Sequence, residues 1–92
     1  MVPARIEFLP SEEGGRITPA MNGIRPLLKL GPVFTSTVVH SRDSVASFEP
    51  RRLYDVTLEI VFWDEYGDFF REDDPVELFE GSRLIARGQF IP

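Results

Sequence analysis

The sequence predicts an all-β fold, a small closed six-stranded antiparallel β-barrel formed by residues 1–92 as one domain. Three observations carry this. Apolar residues recur with period two, and helical periodicity is hard to find. Runs rich in β-branched and aromatic residues recur between turn residues at spacings typical of a sandwich or small barrel. No long helical segment interrupts them, and closure removes the unpaired edges that an open sheet would expose.

The first strand is 4–8, where Ile6 and Phe8 alternate with Arg5 and Glu7 and point inward. A short strand at 28–30 alternates Leu28, Lys29 and Leu30. The run 33–40 holds Val33, Thr35, Thr37, Val38 and Val39, residues suited to a pleated, half-buried surface. The longest candidate is 51–63, with Tyr54, Val56, Leu58, Ile60 and Phe62 on one face and Asp55, Thr57 and Glu59 on the other. Strands at 76–79 and 84–91 flank Glu80-Gly81-Ser82-Arg83, which reads as a hairpin turn. Pro10 and Pro32 punctuate strand ends.

Cysteine is absent, which excludes a disulfide framework, a cysteine-based zinc site and a cysteine nucleophile. No apolar run approaches membrane-spanning length, and the first residues lack a signal-peptide layout, so a cytoplasmic protein without membrane contact is expected. The net charge is −5, distributed as seven basic against five acidic side chains in 1–54 and three against ten in 55–92. Phosphate neutralisation needs Lys and Arg, so the chain as a whole is ill suited to non-specific nucleic-acid binding.

The stretch EEGGRITPAMNGIRP, 12–26, concentrates glycine, proline and arginine and leaves no room for a helix or a regular strand. It lacks the lysine and following helix of a P-loop, and it lacks the G-x-G-x-x-G dinucleotide fingerprint. No nucleotide and no other cofactor is expected. What stays open is a self-packed loop or a contact surface. His40, the single histidine, has no partner set for zinc and reads as an ordinary strand-end residue. The acidic run 64–77 misses the calcium-loop spacing and reads as a solvated connection. Within it and at its start, Trp63, Tyr66, Phe69 and Phe70 either cap one end of the barrel or form a contact patch, whose acidic surroundings would select a basic partner. No nucleophile–base pair or metal constellation points to an enzyme.

Two separated motifs resemble the third, C-terminal barrel domain of translation elongation factor Tu. The first is Glu12-Glu13-Gly14-Gly15-Arg16-Ile17-Thr18-Pro19 with Asn22-Gly23-Ile24-Arg25-Pro26, preceded by the alternating strand ARIEFLPS. The second is Glu80-Gly81-Ser82-Arg83 with Ile85 and Gly88. The resemblance implies a six-stranded antiparallel barrel, which in the full factor docks on a GTPase domain, meets the exchange factor and helps hold the T-stem side of aminoacyl-tRNA. This chain has no P-loop and no length for a GTPase domain. It departs from the family at Ile17 and Ile24, and 35–46 has no counterpart there. The expectation is a stand-alone, non-catalytic binding module acting through protein contacts. The alternative is a translation-related module binding a tRNA-like stem, with Arg16, Arg25 and Lys29 on phosphates and Thr18 and Asn22 adding hydrogen bonds.

Overall fold

A computed structural model of the protein describes all residues 1–92. Its strands are β1 (Val2–Phe8), β2 (Ala20–Met21), β3 (Leu27–Leu30), β4 (Val33–Ser41), β5 (Ser47–Phe48), β6 (Leu53–Ile60), β7 (Pro75–Glu80) and β8 (Arg83–Phe90), with one short helix, α1 (Trp63–Tyr66). Six of these close a barrel in the order β1-β6-β4-β3-β7-β8, every pairing antiparallel. The all-β, closed six-stranded antiparallel barrel expected from the pattern is the fold observed.

Alternation decides what fills the barrel. From β1, Ala4, Ile6 and Phe8 point in and are buried. They meet Val56 and Tyr54 across the β1–β6 ladder, and Phe90, Gly88 and Ala86 across the β1–β8 ladder. Leu28, Leu30, Val39, Leu58, Ile60, Val76 and Leu78 complete the interior. Thr37, also inside, donates its hydroxyl to the Glu59 carbonyl at 2.8 Å, which satisfies a group otherwise costly to bury. First and last strands meet closely at Gly88: a Cβ there would lie 2.0 Å from the Arg5 carbonyl oxygen. The last turn of the chain is the two-residue hairpin Glu80–Arg83, as read from the sequence.

The registers give the barrel two distinct ends. One is bounded by Phe8, the end of β4, the start of β6 and the β7–β8 turn. The stretch 9–26 and the stretch 42–52 close it, pairing with each other through β2 and β5. The expectation that 12–26 holds no strand therefore needs correction: two residues do pair, because Ala20 and Phe48 are apolar and plug the barrel there. Phe48 stacks on Phe8 at 5.2 Å and meets Tyr54 edge-on at 5.1 Å. The Tyr54 hydroxyl accepts from the Glu49 amide at 2.8 Å and fixes the return into β6.

The other end is bounded by the start of β1, the β3–β4 turn, the end of β6 and the end of β8. The connection 61–74 closes it. Here a second correction applies. The strand expected to reach residue 63 ends at Ile60, and Phe62 does not share the inward face of Tyr54, Val56, Leu58 and Ile60. After the Val61 amide bonds the Ser36 carbonyl, the Phe62 carbonyl accepts from Glu65 and Tyr66, and the chain coils instead of extending.

Candidate interaction surface

Five residues of the first loop and β3 are the candidates for phosphate contact: Arg16, Thr18, Asn22, Arg25 and Lys29. The loop's path begins with a single 3₁₀ turn at Ser11–Glu13. Gly14 leaves it at φ 94°, a left-handed conformation that L side chains rarely adopt. Gly15 then passes so close to β1's exit that a Cβ would sit 1.9 Å from the Leu9 carbonyl oxygen.

Arg16 emerges from this bend against its own loop. Its Nε donates to the Thr18 carbonyl at 3.2 Å, its Nη2 to the Thr18 hydroxyl at 3.3 Å, and its Nη1 to the Glu80 carboxylate. Asn22 also braces: its side-chain oxygen accepts from the Ser41 amide at 2.7 Å, while its own amide donates to the Ala46 carbonyl at 3.0 Å. Lys29, on the outer face of β3, lies 4.0 Å from a Glu77 oxygen. Arg25 alone of the five stays exposed with neither a hydrogen bond nor an ion pair. The structure thus joins Arg16 to Thr18 and uses Asn22 as a separate brace to Ser41 and Ala46, and does not gather the five into a cationic surface.

The aromatic candidates occupy the opposite end and divide into two pairs. Tyr66 and Phe70 are half-buried and pack against the core. Phe70 meets Phe90 edge-on at 4.9 Å and so caps the barrel. Trp63 and Phe69 face outward, 46% and 38% exposed, and Phe62 beside them is 46% exposed. Trp63 is nonetheless held. Its ring lies 5.9 Å from Phe70, and Gly67 packs so closely that a Cβ there would be 2.8 Å from the indole. An exposed aromatic already fixed on its inner side loses little freedom when a partner covers it.

The apolar surface continues onto the barrel wall. Phe34, 51% exposed on β4, stands edge-on to Phe79 of β7 at 5.2 Å and shares a groove with Phe62, beside which Val61 is also exposed. Phe34, Val61 and Phe79 were not singled out from the sequence. In 33–40 one alternating set is Val33, Thr35, Thr37 and Val39 and the other is Phe34, Ser36, Val38 and His40, so each mixes apolar and polar residues and the pattern leaves open which set faces out. The inward set is Thr35, Thr37 and Val39. Once that is fixed, Phe34 must face solvent.

Charge separates the two ends further. Arg5 is bound by Asp55, Arg16 by Glu80, and Arg51 by Glu12 and Glu13. In 61–74, by contrast, Asp64, Glu65, Asp68, Glu72, Asp73 and Asp74 form no ion pair. The one cation of that segment, Arg71, spends its guanidinium on the carbonyls of Asp68 and Phe70, each at 2.8 Å. Six carboxylates against one guanidinium leave this segment strongly negative, with Asp64 and Glu65 lining the same surface as Phe62 and Trp63. Elsewhere, His40 Nε2 lies 3.0 Å from a Glu59 oxygen on the outer wall, and no three His, Asp or Glu residues are grouped to hold a metal ion. No helix is long and apolar enough to cross a membrane.

No protein-family model matches the chain, and no curated protein matches it.

Proposed function

We propose that the protein is a non-catalytic binding module that presents its aromatic, acidic barrel end to a basic protein partner. The observation that carries this is the held but exposed Trp63, continuous with Phe62, Val61 and Phe34 and flanked by the unpaired carboxylates of Asp64 and Glu65. Interface cores are enriched in Trp, Tyr and Phe, and a rim of one charge selects the opposite charge in its partner. The barrel and the two elongation-factor-like motifs support a translation-related setting, and the cysteine-free sequence is in keeping with the cytoplasm. The tRNA-stem alternative is weakened because Arg16, Thr18 and Asn22 are engaged within the molecule.

Affinity capture with the wild type and with the Phe62→Ser/Trp63→Ser double variant tests the proposal, with circular dichroism confirming the fold of each. A basic protein retained by the wild type and lost with the variant is the expected result. Identical proteins retained by both, or retention of RNA through Arg25, would count decisively against it.

A further inference from the structure

Between β4 and α1 lies a groove of about 180 Å³, lined by Leu27, Phe34, Thr35, Ser36, Phe62, Glu65 and Tyr66. Three aromatic rings, three hydroxyls and one carboxylate surround a space for a single side chain. Resting on the protein-binding function proposed above, we infer that this groove takes the cationic head of one lysine or arginine side chain from the partner.

Charge and desolvation select that occupant. Ring faces carry negative potential and attract ammonium and guanidinium groups. Glu65 has no ion-pair partner in the chain, so a cation seated here gains a carboxylate without breaking an existing pair. A leucine or phenylalanine in the same place would cover that carboxylate and strip its water with no compensation. An anionic side chain would face it directly. A second copy of the chain is disfavoured on the same ground, since it would press both sets of unpaired carboxylates from 64–74 together.

One wall and the backbone of the other are held before binding. Phe34 is braced by the edge-on contact with Phe79. The backbone carrying Phe62, Glu65 and Tyr66 is held in one turn, because the Phe62 carbonyl accepts from the amides of Glu65 at 3.1 Å and Tyr66 at 3.0 Å. A cation entering the groove would meet these rings beside the larger apolar contact offered by Trp63.

The test uses the whole protein and three capped tripeptides, Ala-Lys-Ala, Ala-Arg-Ala and Ala-citrulline-Ala, followed by NMR at millimolar concentration. Shifts at Phe34, Phe62 and Tyr66 are expected with the lysine or arginine peptide and not with citrulline. The conservative variant Glu65→Gln should weaken the response by about two- to five-fold, the size of an exposed ion pair, while leaving the fold intact. Equal shifts from the citrulline peptide, shifts centred elsewhere, or no shifts at all would overturn the subsite. If partner capture depends on Trp63 but not on Glu65, and the peptides give no response, the subsite fails and the wider interface stands. If the peptides respond and no partner depends on Trp63, the wider interface fails and the subsite stands.

Discussion

Gly14 and Gly15 are neighbours in sequence and are required for different reasons. Gly14 has open space around it and a positive φ, so Gly14→Ala carries only the left-handed backbone penalty of about 1 kcal/mol. Gly15→Ala drives a methyl group into the Leu9 carbonyl, and the backbone must move. A loss above about 2 kcal/mol is expected for it, with urea unfolding of the two variants as the measurement. Equal losses would mean that the steric distinction is wrong. The bidentate contact of Arg5 with Asp55, at 2.8 and 3.4 Å, makes a second prediction. The hydrogen bond from Arg5 holds the Asp55 carboxyl below its usual range. A depressed folded value stabilises above the unfolded value and loses that stabilisation as pH falls through the folded one. Asp55→Asn should therefore be less stable than the wild type at neutral pH. The two should converge on acidification below the ordinary Asp value of about 4, followed by unfolding curves across pH. Residue roles were the least legible in the sequence. Arg16 and Arg25 occupy similar Gly- and Pro-rich contexts, and only the fold brings Glu80 to one of them.

The staves of the barrel were readable because each strand keeps one wet face, and a one-residue slip would expose its whole apolar set. What escaped were the elements too short to show a period. β2 and β5 have two residues each, and their pairing depends on two loops meeting. The end of β6 escaped for another reason. Phe62 continues the apolar alternation, so periodicity extends the strand past Ile60, while the backbone turns at Phe62 into α1. The aromatic run was visible, but its division into capping and exposed rings was not, because that depends on where Phe90 ends β8. The cap gives a prediction at this scale. Phe70→Ala removes a half-buried ring from between Trp63 and Phe90, and should cost about 2–3 kcal/mol. Trp63 loses its support, so its fluorescence should shift to the red in the folded state. An unchanged spectrum would show that Gly67 alone holds the indole.

At the level of the whole molecule, ion pairing concentrates at the loop-closed end and along the wall, and the aromatic end is left with unmatched negative charge. With a net charge of −5, association with a basic partner should slow as ionic strength rises, measurable by stopped flow. For the same reason tRNA should show no binding tighter than about 1 µM at physiological salt by fluorescence anisotropy. Tighter binding that falls steeply with salt would restore the nucleic-acid alternative. The closure of the barrel has a kinetic consequence. β1 pairs with β8, from Ala4 opposite Phe90 to Phe8 opposite Ala86, so the strand made first finds one of its two neighbours in the strand made last. Until residues near 90 leave the ribosome, β1 and β7 are bare edges, open to pairing with other chains. Contacts this distant in sequence belong to the slow class of folders, in milliseconds to seconds rather than microseconds. Synthesis of this barrel thus passes through a short window in which five of its six staves exist and its two edges stand open, and that window is where a chaperone would find it.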